Sequence, residues 1–345
     1  MNDINYTNRI DNLKRRYNPD RMQLFENRAF SETFGLEGDA QKYVWMAMME
    51  VDDEYTRKTI EAGEAAKGHL KETLQNVDFR YQGSVMTNTH IRGASDIDLL
   101  VLCTKFNHTD INKVRRELDN IQNHTQTELS YLRSYNNRFS SYLGNTNEDL
   151  RQLRSDIERI MQVKYDKCDI TKPKSVKITN QHLHRDVDVV TSCWYDSYYY
   201  VLNGENERNR AISIYNKETN TDNGPDYPFL SISRINDRSA ATQGRLKRMI
   251  RFLKNVRSDS DKAIDLSSFE INAICYSIDT KDYSYLNYKQ LVYLLWNVMY
   301  HLLKDGTASQ LSSVVGDEKV FTSQNKIDAL KLLEDEVWNI YNDYK

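Results

Sequence analysis

Seven residues, Asp96-Ile97-Asp98-Leu99-Leu100-Val101-Leu102, constrain this chain more than any other stretch. Past the two acids the run is unbroken hydrophobic, the pattern of a strand buried on both faces. Side chains two apart on a strand share a face, so Asp96 and Asp98 project side by side. Two carboxylates so placed repel each other and are costly to hold unless a cation neutralises them. Magnesium suits that task, because it takes oxygen ligands and keeps positions open for substrate phosphates. Nucleotidyl transfer commonly uses two such ions, one activating the attacking hydroxyl and one stabilising the departing pyrophosphate.

The segment before this strand supplies a second requirement. Val77 to Tyr81 alternates as a strand should, and Gly83-Ser84 follows as a turn. Glycine lets the backbone approach a triphosphate closely, and the serine hydroxyl and nearby amides donate to phosphate oxygens. An Asp-x-Asp alone is usually a solvated surface pair, and Gly-Ser alone is usually just a turn. Here eleven residues, Val85 to Ser95, separate them, and the acids head an otherwise apolar strand. The combination points to a metal-assisted nucleotide site.

The 345 residues suffice for about two domains. With 39% hydrophobic residues and only 12 Gly and 4 Pro, the composition favours a helix-rich protein with a sizeable core. A net charge of −3 argues against non-specific nucleic-acid binding. The amino-terminal residues Met1 to Tyr6 lack a secretory pattern, and the apolar stretch Gln290 to Leu303 is too short and too interrupted to span a bilayer. It reads as a buried helix. Cys103, Cys168, Cys193 and Cys275 are scattered without metal-ligand spacing, so neither a zinc site nor a disulfide frame is expected. A cytoplasmic protein is the expectation.

One or two helices are expected between Ala40 and Leu74, and two or more between about 110 and 165. Further strands are read at Ser175 to Ile178, Asp186 to Val190 and Ala211 to Tyr215, then a loop through Pro228 and helices from Gly244 onward. The aromatic run Tyr195 to Tyr200 reads as local core. The fold class is α+β: a catalytic domain over residues 1–200, with a helical insertion at about 110–165, and a mainly helical domain over 201–345. In the segment Leu246 to Lys254, apolar residues 246, 249, 250 and 253 face a core, and Lys247, Arg251 and Lys254 form a basic stripe beside them. Most such stripes are solvated helix faces.

The run Gln82-Gly83-Ser84, Thr89-His90-Ile91, Ser95-Asp96-Ile97-Asp98-Leu99 resembles the signature of polymerase β-like nucleotidyltransferases. Within them it is most similar to the branch of cyclic GMP–AMP synthase, oligoadenylate synthase and the bacterial CD-NTases of CBASS antiphage defence. The resemblance implies a mixed sheet with flanking helices, a helical domain after it, and an active site in the cleft between the two. It also implies a third carboxylate on a later strand. Val187-Asp188-Val189-Val190 fits that context, with Asp186 as the rival; Thr191 and Ser192 stand where a proline is usual. Carried over, Asp96, Asp98 and Asp188 are the catalytic metal ligands for two magnesium (or manganese) ions, with Gly83 and Ser84 binding nucleotide. A lysine ending a basic helix and a serine-aromatic turn also match, making Lys254 and Ser268 triphosphate contacts and Phe269 a stacking residue. Lys247 is a candidate on charge alone. Val256 stands where the oligoadenylate branch often has tryptophan.

The leading function is therefore synthesis of a cyclic di- or trinucleotide second messenger from nucleoside triphosphates, ATP with GTP, UTP or CTP as further candidates. By resemblance a separate downstream effector senses the product, and neither nucleic acid nor membrane is required. The runner-up is transfer of a nucleotide to a macromolecule such as tRNA or a protein, although an RNA substrate calls for a broader basic surface. A silent nucleotide sensor would require loss of a metal ligand, and all three acids are present.

Overall fold

The computed structural model describes residues 4–17, 38–91, 96–316 and 318–344. Met1 to Asp3 and Ser95 of the signature lie outside the described residues. In chain order the helices and strands are α1 (Tyr6–Tyr17), α2 (Asp39–Met48), α3 (Asp53–Lys71), β1 (Val77–Gln82) and β2 (Ile97–Thr109). Next come α4 (Ile111–Asp119), α5 (Gln126–Arg138), α6 (Thr146–Lys164), β3 (Cys168–Asp169), β4 (Ser175–Asn180) and β5 (Arg185–Asp196). They are followed by α7 (Tyr198–Leu202), β6 (Ala211–Asn216), β7 (Thr221–Asp222), α8 (Pro228–Ala241), α9 (Arg245–Asp259), α10 (Ser268–Ser277), α11 (Tyr288–Lys304) and α12 (Gln324–Asp343).

The chain divides into two compact units, residues 57–83 with 96–233, and residues 1–56 with 84–95 and 234–345. This division differs from a seam at 200/201. The amino-terminal helices group with the helical half because α2 buries Tyr43, Val44, Ala47 and Met48 in the same cluster as Leu246, Met249, Ile250 and Leu253 of α9.

The first unit holds the sheet, in the order β1-β2-β5-β4-β3, with β6 pairing β5 and β7 pairing β6. Only β2 and β5 run parallel among these pairs; the others are antiparallel. A parallel pair cannot be joined by a tight turn and needs a long crossover. The helical insertion read at 110–165 opens that crossover, as α4, α5 and α6, and β3 and β4 complete it. Helix α5 begins at a capping box between Thr125 and Glu128. The aromatic run at the end of β5 is core only in part: Tyr200 packs, with Val201, on Ile111, Val114, Leu132 and Tyr135, while Tyr199 is exposed. In β2 the apolar run Leu99 to Leu102 is fully buried, as in a strand covered on both faces.

In the second unit, α9 starts after Gly244, whose φ of +82° suits glycine. A helix at 228–241 precedes it, so the helical half begins earlier than Gly244. Helix α11 buries Leu291, Val292, Leu295 and Met299 but leaves Tyr293 and Tyr300 exposed. Among the described residues, no helix is long and apolar enough to cross a membrane.

Candidate active site

Strands β1 and β2 deliver the signature residues. Gln82 is the register partner of Asp98, and the chain leaves β1 at Gly83 with φ +88°. A Cβ placed at Gly83 would collide with Oδ2 of Asp98. Both the backbone angle and the missing side chain are therefore required where the turn passes the carboxylate.

Across the parallel pair, Asp98 stands in register with Asp188. Asp96 and Asp186 lie two residues earlier on the same face, so four carboxylates share one side of the sheet. The resulting electrostatics are visible on Asp98. Burial first, then the charges of Asp188 and Asp96, push its carboxyl up to about 7. Burial also raises the Asp96 carboxyl; Lys177 opposes the rise, while Asp188 and Asp186 add to it.

Strand β4 answers this charge. Ser175, Lys177 and Thr179 alternate with buried Val176 and Ile178, so they point to one face. Lys177 Nζ lies 2.6 Å from Asp96 and 3.0 Å from Asp186. Burial works against its charge, yet hydrogen bonds to Asp96 and Asp186 hold the ammonium above its ordinary range. Lys172 Nζ lies 3.1 Å from Asp188, which also accepts from Ser175 Oγ at 3.0 Å. Asp186 accepts from Thr179 Oγ1 at 2.7 Å; that bond and Lys177 outweigh burial and hold Asp186 below the usual carboxylate range. Asp188 and Asp186 thus differ in surroundings. Both are held from the β4 side, but Asp188 acts on Asp98 and Asp96, whereas Asp186 acts on Asp96 alone of the two.

These β4 contacts were not among the residues singled out from sequence. Their signal was the two-residue polar alternation of Ser175, Lys177 and Thr179, legible only once β4 is known to pair with β5. Three carboxylates on one face, Asp98 in register with Asp188 and Asp96 two residues before it, supply the oxygen donors that a hard divalent cation such as magnesium takes.

In the other unit, Ser84 opens a tight turn in which Thr89 N donates to Ser84 O at 3.0 Å. The basic stripe of α9 is not a solvated face. Arg251 and Lys254 are 2% and 1% exposed. Arg251 donates to Met48 O at 3.0 Å and Asn88 O at 2.7 Å, and Asn255 donates to Ala47 O at 3.0 Å. Two of these bonds satisfy carbonyls at the end of α2 that the helix itself leaves open. Lys254 Nζ donates to Thr89 O at 3.0 Å, so its ammonium is engaged inside the unit. Burial, chiefly, lowers Lys254 to about 7. Lys247 is half-buried. Ser268 is the first residue of α10, whose cap is Ser267 in a capping box with Glu270; Phe269 beside it is 43% exposed.

The profile of the cGAS/DncV-like nucleotidyltransferase C-terminal helical domain matches residues 233–342. A c-di-GMP synthase of Lachnospiraceae bacterium (strain RUG226) is 57% identical over 344 residues, covering 99% of both chains. The chain belongs to the CD-NTase family. The solved STING-associated CdnE c-di-GMP synthase from Capnocytophaga granulosa is 40% identical, with a TM-score of 0.80 over 98% of both chains. Its Flavobacteriaceae sp. counterpart is 34% identical, with a TM-score of 0.86 over 99% of this chain and 98% of that one. The α+β fold read from sequence is therefore that of the CD-NTases, and this CD-NTase is a nucleotidyltransferase that synthesises a cyclic dinucleotide. The macromolecule-modifying alternative is not favoured.

Proposed function

We propose that this CD-NTase makes cyclic di-GMP from two molecules of GTP at the carboxylate face of β2 and β5. The observation that carries the chemistry is the register of Asp98 with Asp188, with Asp96 beside them. Support for guanine comes from the 57% identical relative, which is named a c-di-GMP synthase.

Asp96, Asp98 and Asp188 are the residues that would hold two magnesium or manganese ions. Such ions, when bound, polarise the α-phosphate and make a ribose hydroxyl a better nucleophile. Asp188 takes the proton of the attacking hydroxyl. The hydroxyl oxygen forms a bond to the α-phosphorus of the donor as the bond to pyrophosphate breaks. A second round of the same step closes the ring and releases a second pyrophosphate. Gly83 lets the backbone pass Asp98 without displacing it. Lys172 and Lys177 balance the carboxylates while no cation is present, and are free to turn towards phosphate oxygens once the charge is met.

In the helical unit, Ser84 and Ser268 are the proposed phosphate contacts, Phe269 the proposed stacking residue, and Lys247 a further cationic candidate. Lys254 serves through the Ser84–Thr89 turn that it fastens. The setting we propose is the cytoplasm, with the product sensed by a separate antiphage effector and no nucleic acid required.

Pyrophosphate release from GTP and magnesium tests the assignment. Wild type is expected to turn over, and Asp96→Ala combined with Asp98→Ala to be silent while still unfolding in a cooperative thermal transition. Turnover by the folded double variant would remove the metal-site assignment.

A further inference from the structure

The sheet unit carries a second cluster of metal-binding side chains, on the face away from the carboxylates. Among the described residues, His108, Cys193 and Asp222 each offer one ligand atom, and these atoms lie within 4.8 Å of one another. Asp188 and Cys193 are five residues apart on one strand and so point to opposite faces.

The cluster depends on a register shift. Between Cys103 and Asn107 the β2–β5 ladder slips, and His108 becomes the partner of Tyr195. Tyr195 and Cys193 share a face, so the shift sets His108 beside Cys193; such irregularities commonly re-aim a side chain. Asp222 arrives from the opposite side on the β6–β7 hairpin, and its Oδ2 hydrogen-bonds to Nε2 of His108. Cys193 is fully buried where β5 pairs with β6. The three donors come from segments about 85 and 29 residues apart in sequence, which is why no ligand spacing announces them.

We propose that His108 Nε2, Cys193 Sγ and a carboxylate oxygen of Asp222 bind one divalent ion of the zinc type. Nitrogen, sulfur and oxygen together suit zinc better than magnesium, and thiolate plus carboxylate cancel the charge of a divalent ion. Binding releases the thiol proton to solvent. Of the three ligands, His108 also lines an open cavity of about 730 Å³, with Phe106, Tyr142 and Leu143. The ion would staple the β6–β7 hairpin to β2 and β5. The site is independent of the catalytic carboxylates.

Metal-stripped full-length protein is titrated with Co²⁺ and followed by absorption. One equivalent is expected to produce a thiolate-to-cobalt charge-transfer band that Zn²⁺ abolishes by displacement. The band should persist in the Asp96→Ala, Asp98→Ala double variant and vanish in Cys193→Ser. His108→Gln and Asp222→Asn, at half-buried positions, should each weaken binding by at least roughly 10- to 100-fold, since even supporting groups around a metal are worth that much. These two variants decide the matter if Cys193→Ser fails to fold. A wild-type titration without the sulfur band, or unchanged affinity in both His108→Gln and Asp222→Asn, would overturn the site and leave a plain His–Asp pair over a buried thiol.

Discussion

Asp98 and Asp188 stand opposite each other across the parallel strands β2 and β5, and after burial the charge of Asp188 is the largest influence raising the Asp98 carboxyl. That pairing makes the protonation of Asp98 part of the stability of the metal-free protein. Its folded value of about 7 lies above the unfolded value of about 3.9. The folded state therefore holds more protons between those values, and stability falls as pH rises through that window. Metal-free wild type should lose on the order of 2–4 kcal/mol between pH 4 and 8 from this group, less whatever water and Lys172 screen. Asp98→Asn should flatten the dependence, and magnesium should restore wild-type stability at pH 8. Chemical denaturation across pH measures both; an identical slope in Asp98→Asn would contradict the coupling.

The third carboxylate can be identified by paired substitutions. Asp188→Asn is expected to lower kcat by at least ~1,000-fold, since a general base and a metal ligand are removed together. Asp186→Asn, two residues from the register partner of Asp98, should stay within about tenfold of wild type, the loss of a positioning contact through Lys177. Reversed ranks would make Asp186 the third ligand.

Gly83→Ala tests the turn. The substitution imposes a side chain at φ +88° and drives it into Asp98. A stability loss of about 1–3 kcal/mol is expected from backbone strain, with a larger effect on turnover because the carboxylate is displaced. Unaltered kcat would show that the turn does not set Asp98.

Lys254→Met keeps the bulk of the side chain but removes the donor to Thr89. Leaving that carbonyl unpaired should cost about 1–3 kcal/mol and lower kcat with little change in the KM for nucleotide. A raised KM with unchanged stability would instead assign the ammonium to phosphate.

Much of the site was legible before the fold. Asp96 and Asp98 stood out because two acids head a run that burial demands be apolar, whereas Asp188 was reached through the family resemblance, with Asp186 as its rival. Gly83 was legible as a turn, but its need to clear Asp98 depends on the β1–β2 register. Lys172, Lys177, Ser175 and Thr179 were invisible for the same reason: partners on adjacent strands are set by pairing, not by sequence distance. The basic stripe of α9 was read as a helix face beside the core, whereas Arg251 and Lys254 are buried and Lys247 is half-buried. Backbone carbonyls at residues 48, 88 and 89 satisfy the two buried charges, and no side-chain pattern announces a carbonyl. The two-residue strands β3 and β7 are too short for alternation to mark them.

The central claim is best tested by mass spectrometry of the product. Purified protein receives magnesium and an equimolar mixture of ATP, GTP, CTP and UTP. Cyclic di-GMP is expected as the dominant phosphatase-resistant product, absent when Asp96 and Asp98 are both alanine. A dominant product lacking guanine, or nucleotide appearing only on protein or RNA, would contradict it.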